Sequence, residues 1–330
     1  MKEKRTSLED IAKSIGVSKA TVSFVLNDKG DEFNISKEKQ RLIKEKAKEL
    51  AYVPNFFAKS LRQGSTKTIG LVLADISNPF YAELCKTVQE NLYAKGYNTF
   101  IVNTNEDKEL EKTLMRELIQ RSIDGMIISP ANHINELIPI LHETHIPVVF
   151  ADRPGDDHAD FVGVDNEKQA EKLINEFSIQ PKRLVVVSPD SENVITIEKR
   201  IAGTRNACAK SKIDFSIIKV SEDSNEFNRL IQEELNKGAD SFLPLNIKST
   251  FKTLAALKKL NVEIPQKVRL ISFDDNEAFN YMEPPISALN QPVKHIGIES
   301  VDRLMDRLKE SQVPGKHLLL NCEFIKRGSH

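Results

Sequence analysis

Residues 7–27 read Ser7-Leu-Glu-Asp-Ile-Ala-Lys-Ser-Ile-Gly-Val-Ser-Lys-Ala-Thr-Val-Ser-Phe-Val-Leu-Asn27, and no other stretch constrains the chain as much. Ser7 is placed to cap a first helix, with Asp10 three residues on as its acidic partner. Leu8, Ile11, Ala12 and Ile15 then fall on one helical face. Gly16 stands where a tight turn needs a left-handed backbone that a side chain would oppose. Ser18 caps a second helix, buried through Val22, Val25 and Leu26 and exposed through Lys19, Ala20, Thr21, Ser23 and Phe24. Two short helices joined this way let one lie in the DNA major groove. Small hydroxyl residues and a lysine at a helix N-terminus suit phosphate and base-edge contacts. An ordinary helical hairpin has the same spacing, so the rest of the chain decides between them.

Ser36 caps a third helix, from Lys37 to about Ala51, with Leu42, Ile43, Ala47 and Leu50 as its core-facing stripe. Pro54 ends it, and Asn55 can cap a short segment reaching Arg62. Ala58 and Leu61 lie one turn apart on that segment, which is too short to be stable alone in water. Gly64-Ser-Thr-Lys67 reads as a linker. Charge divides at the same place. Residues 1–65 hold 14 Lys/Arg against 9 Asp/Glu, leaving 33 against 39 for the remainder, so a basic head is joined to an acidic body.

With 330 residues the chain has room for two or three domains. Its three cysteines, Cys85, Cys208 and Cys322, are far apart and odd in number, which argues for a reducing cytoplasm and against a disulfide framework. The charged N-terminus and the lack of a long apolar run give no expectation of a signal peptide or membrane contact. From residue 66 onward, strand-like apolar runs recur at 68–73, 99–103, 125–129, 147–150, 183–188, 216–220, 241–245 and 269–273. Amphipathic stretches lie between many of them, for instance 82–95, 108–120, 167–177 and 251–260. This α/β rhythm predicts parallel sheets with helices on both faces, in two units. No catalytic residue, metal or cofactor is expected. Asp274 and Asp275 are adjacent and point apart at a strand end, the histidines lack metal-ligand spacing, and no phosphate loop or nucleophile elbow is present.

Asp10-Ile-Ala, Gly16-Val-Ser-Lys-Ala-Thr-Val-Ser, Val25-Leu-Asn27, Tyr52-Val-Pro-Asn55, Ala58-Lys-Ser-Leu-Arg62 and Thr66-Lys-Thr-Ile-Gly-Leu71 stand in order along the first part of the chain. Asp75-Ile-Ser-Asn-Pro-Phe80, Arg121-Ser-Ile-Asp-Gly125, Ile146-Pro-Val-Val149, Val164-Asp-Asn166, Ser272-Phe-Asp-Asp275 and Asn290-Gln-Pro292 follow. With these pieces the chain resembles the lactose-repressor/galactose-repressor (LacI/GalR) family of bacterial transcription regulators. The resemblance implies a helix-turn-helix head over 1–53, a hinge helix and linker over 54–65, and a periplasmic-binding-protein-like core over 66–330. Its subdomains would be 66–163 with 292–319 and 164–290 with 320–330, joined by crossovers near 163–166, 289–292 and 319–322.

The implied activity is that of an effector-responsive repressor, reading pseudo-palindromic operator DNA as a homodimer or a dimer of dimers. Lys19 and Ala20 are assigned to base readout, and Ser7, Ser18, Thr21, Ser23 and Asn27 to phosphates. Leu61 is assigned to a minor-groove wedge beside Arg62, on a hinge that includes Asn55 and Ala58. Asn78, Phe80, Tyr81, Arg153, Arg200, Asn246 and Asp274 match effector positions. The implied effector is a small metabolite: a sugar, phosphosugar or nucleoside.

Two departures stand out. Phe24 replaces an arginine common on the recognition helix, so it can pack on a thymine methyl or bury against the third helix, but cannot read guanine bidentately. Where relatives carry Asn-Asp, this chain has Asn246-Ile247, which removes an acceptor for a sugar hydroxyl. The competing reading is a cytosolic ligand-binding sensory module that has lost DNA binding. Phe24 favours it; Asn55, Ala58 and Leu61 oppose it.

Overall fold

A computed structural model describes residues 6–53, 60, 64–131, 138–156, 158–190, 194–310 and 314–330. The chain divides into two compact units, Met1–Thr66 and Lys67–His330. The first holds α1 (Leu8–Ile15), α2 (Lys19–Leu26) and α3 (Lys37–Glu49). Ser7 closes a full capping box with Asp10, and Ser18 and Ser36 cap the next two helices. Gly16 ends α1 at φ +68°, the left-handed conformation the turn demands. Ile11, Ala12, Val22, Val25, Ile43 and Ala47 form the small core. Leu42 departs from expectation, being 47% exposed. The helix turns Ile43, Ala47 and Leu50 toward α1 and α2, and Leu42 lies about 100° round from Ile43.

The second unit is doubly wound. Its first sheet has the order β2-β1-β3-β4-β5-β11, from β1 (Thr68–Leu73), β2 (Asn98–Asn103), β3 (Gly125–Ile128), β4 (Val148–Ala151), β5 (Asp160–Val164) and β11 (His317–Leu320). Its second has the order β7-β6-β8-β9-β10-β12, from β6 (Arg183–Ser188), β7 (Asp214–Lys219), β8 (Ser241–Pro244), β9 (Arg269–Phe273), β10 (Ser287–Asn290) and β12 (Glu323–Ile325). Among the described residues every strand pairing is parallel except β10 with β12.

Five helices matter for the site: α4 (Pro79–Ala94), α5 (Lys108–Gln120), α7 (Asn166–Leu173), α8 (Ile195–Ser211) and α10 (Ile247–Lys259). The other α-helices among the described residues of this unit are α6 (Ile138–Thr144), α9 (Ser224–Asn236) and α11 (Val293–Lys309). Central strands such as β3, β5 and β8 are buried throughout, whereas the edge strands β2 and β7 are mostly exposed or half-buried. In each sheet the strand order reverses beside the first strand, and open α/β sheets present ligand crevices at the carboxyl ends of their strands at such a point.

Candidate functional sites

In the head, Lys19 and Ala20 are exposed at the start of α2, whose first turn carries no acidic residue. Ser18 Oγ accepts from the Thr21 amide at 3.0 Å and lies 2.8 Å from Thr21 Oγ1, so both hydroxyls also serve the cap. Asn27 closes the helix, its Nδ2 donating to the Ser23 carbonyl at 2.6 Å. The half-buried Phe24 ring stacks on Phe33, in the loop before α3, with centroids 3.6 Å apart and planes 9° from parallel. Phe33 is 49% exposed, so the pair forms an aromatic ledge on the head. Sequence reasoning did not single out Phe33. Asn55, Ala58, Leu61 and Arg62 lie outside the described residues.

The second unit contains a cleft of about 1200 Å³, and all seven predicted effector residues line it. Asn78 caps α4, its Oδ1 accepting from the Phe80 amide at 3.1 Å, and Asn246 caps α10, its Oδ1 accepting from the Ser249 amide at 2.8 Å. These two side chains therefore start helices at the cleft rather than standing free. Phe80 and Tyr81 meet edge to face. Tyr81 Oη donates to Asp152 Oδ2 at 2.8 Å, and Ser129 Oγ lies 3.3 Å from the same phenol oxygen. Burial pushes the Tyr81 phenol well above its usual range. It also pushes the Asp152 carboxyl up, against the opposing pull of Arg153 and Arg200.

Arg153 makes a fork with Glu106, two bonds of 2.7 Å, and donates to the Pro130 and Ala131 carbonyls. Its Nε is buried without a hydrogen-bond partner, 3.9 Å from Asp152 Oδ2 in an ion pair. In the opposite lobe Arg200 Nε donates to Asn166 Oδ1 at 2.8 Å, while Nη1 reaches the Leu245 carbonyl at 2.6 Å and Asp274 Oδ2 at 3.3 Å. Its guanidinium carbon sits 3.8 Å from the Phe273 ring centroid. Gly203 allows this arrangement, because a Cβ there would fall 1.9 Å from the Glu167 carbonyl oxygen. Asn166 and Arg200 can meet only while α7 and α8 stay that close.

Gln291 Nε2 donates to Asp274 Oδ1 at 2.5 Å, leaving its own Oε1 buried and unpartnered. Asp275 instead faces Arg327, in a fork of 2.8 and 2.9 Å, so the adjacent carboxylates do point apart. Sequence reasoning missed Glu106, Asp152, Asn166 and Gln291 as partners, since only the fold brings residues so distant along the chain together. Among the described residues, no group of three or more His, Cys, Asp or Glu is placed to hold a metal. No helix among them is long and apolar enough to cross a membrane.

A helix-turn-helix head joined to a two-lobed binding core defines a class: regulators that read DNA and answer to a small molecule. Two family models match this chain. The one for bacterial regulatory proteins of the lacI family covers residues 7–55, and the one for periplasmic binding proteins and the sugar binding domain of the LacI family covers residues 66–328. The chain belongs to the LacI family. It is an effector-responsive, DNA-binding transcription regulator and not an enzyme. It is 29% identical to the HTH-type transcriptional regulator RegA of Clostridium saccharobutylicum, over 98% of this chain and 99% of that one. To KdgR of Bacillus subtilis (strain 168) it is 28% identical, over 98% and 97%. A solved complex of the transcriptional regulator CelR with cellobiose shares the fold at a TM-score of 0.69 and 22% identity, over 99% of this chain and 100% of that one.

Proposed function

We propose that the cleft binds a hydroxylated small metabolite and that its occupancy sets the affinity of the head for a pseudo-palindromic operator. The observation that carries this reading is the convergence of Arg153 and Asp152 from one lobe with Arg200, Asp274 and Gln291 from the other lobe and the connection beside it. Arg153 Nε, 3.9 Å from Asp152 Oδ2, and Gln291 Oε1 are buried with no hydrogen bond. Buried groups of that kind are satisfied by a ligand that supplies both donors and acceptors. The fold neighbour CelR, solved as a complex with cellobiose, holds a polyhydroxylated ligand, in keeping with this reading.

The head extends through residue 53, residues 54–65 are the hinge and the core begins at 66. The lobes are 66–163 with 292–319 and 164–290 with 320–330. Lys19 and Ala20 read bases, while Ser7, Ser18, Thr21, Ser23 and Asn27 position phosphates. Leu61, beside Arg62 on the hinge with Asn55 and Ala58, wedges between the central base pairs. The regulator acts in the cytoplasm as a homodimer, whose two-fold axis matches the operator's. Selection from a randomised palindromic DNA library, followed by titration at two salt concentrations with and without a cleft ligand, tests this. Binding that weakens with salt and shifts with the ligand supports it; enrichment of no palindrome rejects it.

A further inference from the structure

One wall of the cleft is apolar. Ile247, Phe251 and Ala255 recur every four residues along α10, so they share a helix face, and all three line the cleft together with Val220, the residue after β7. Ile247 and Val220 are buried, whereas Phe251 is 38% exposed. The Phe251 ring rests on fully buried Phe279, centroids 5.5 Å apart and planes at 54°, which fixes it from behind. No acidic residue stands in the first turn of α10. The neighbouring Lys248 and Lys252 both face Glu222, at 3.3 and 3.6 Å, which offsets one of the two positive charges. A supported aromatic ring left partly bare in a ligand cleft forgoes burial that a flat apolar surface restores.

We propose that this shelf is a second subsite, which takes a flat aromatic group carried by the effector beside its hydroxylated part. The inference rests on the reading of the cleft as the effector site. Two sources share this chemistry: the base of a nucleoside and the aryl group of an aryl glycoside. The groups that hold the hydroxylated part, Arg200 and Asp274, lie in the same cleft as the shelf, so one ligand of either kind can meet both.

The test is calorimetric titration of the full-length protein with matched compounds: ribose against adenosine and uridine, and glucose against phenyl β-D-glucopyranoside. At least one aromatic-bearing compound is expected to bind about tenfold tighter than its aromatic-free partner. Phe251→Ala should bring that compound to within about threefold of its partner. Phe251→Leu, which keeps the packing on Phe279 but not the flat face, and Ala255→Glu, on an exposed position, provide the same readout if Phe251→Ala folds poorly. Whether adenosine or phenyl glucoside shows the preference identifies the source. Equal affinities within every pair, no binding by any aromatic-bearing compound, or a preference that survives all three substitutions overturns the subsite. Should Asp274→Asn leave the affinity of every bound compound unchanged, the underlying cleft reading fails instead.

Discussion

Asp152 and Asp274 occupy equivalent places in the two lobes. Each is the first residue after the strand at the same position of its sheet, β4 and β9, and each has a left-handed backbone, at φ +66° and +75°. Such a conformation is uncommon outside glycine, though aspartate tolerates it better than most residues. It brings both carboxylates to the cleft, one held by Tyr81 and the other by Arg200 and Gln291. Strain kept at a matched pair of positions fits a functional constraint better than a packing accident.

The Asp274 neighbourhood separates ligand binding from stability. Asp274→Asn keeps the shape of the side chain and leaves the bonds from Arg200 to Leu245 and Asn166. It should cost about 1–3 kcal/mol in urea unfolding and abolish the response to effector. Arg200→Ala is different, because it strands a buried carboxylate and should cost about 3–5 kcal/mol. Equal stability of the two variants would contradict the geometry.

Lys19 is exposed at the start of the recognition helix, so Lys19→Ala should leave the melting temperature of the free protein nearly unchanged. Operator affinity should fall. If Lys19 also neutralises a phosphate, the slope of log affinity against log salt should drop by about one. Fluorescence anisotropy over a salt series gives both numbers. An unchanged affinity removes Lys19 from the interface.

Phe33→Ala removes the partner that holds Phe24 flat. An aromatic pair contributes about 0.5–1.5 kcal/mol beyond its buried area, so a small loss of stability is expected. The larger effect should be on sequence preference, most visible when thymine is replaced by uracil across the half-site, which deletes only the methyl group. A wild-type protein indifferent to uracil would show that the ledge reads no methyl.

Glu111 supplies a pH test. It is 2% exposed, and burial, opposed by the Ala131 amide and Arg153, pushes its carboxyl up to about 7 from 4.5. Between those values the folded protein holds a proton that the unfolded chain has lost. Its contribution is therefore complete below about pH 4.5 and lost as pH rises through about 7, on the order of 3 kcal/mol in all. Glu111→Gln should remove that slope and be more stable than wild type at pH 8. Parallel stability curves for the two proteins from pH 5 to 8 would refute the assignment.

Much of the head was legible because local chemistry decides it: Ser7, Gly16, Ser18 and Ser36 each do at their own position what their side chain, or its lack, suggests. Strands with a continuous apolar run, such as Ile69–Leu73 in β1 and Leu184–Val187 in β6, were equally plain. β5 was not, because it opens on Asp160, a buried charge made tolerable by Arg307 Nε at 2.6 Å and the Lys316 amide at 2.9 Å, both far along the chain. The edge strands β11 and β12 are short and half-exposed, so they carry little pattern. At the cleft, the resemblance supplied the lining residues but not their partners. Nothing in the run Arg200-Ile-Ala-Gly203 says that Asn166 and the Leu245 carbonyl will hold the guanidinium.

The central claim is that cleft occupancy and operator affinity are coupled within one chain. The most direct measurement is anisotropy of a labelled palindromic operator, titrated with wild type and Asp274→Asn at fixed salt, with and without a saturating compound shown by calorimetry to bind the wild-type cleft. The account predicts a shift of about 5- to 150-fold for wild type, the range of a coupling free energy of about 1–3 kcal/mol, and none for the variant. Identical operator affinity for wild type with and without the bound compound would contradict it.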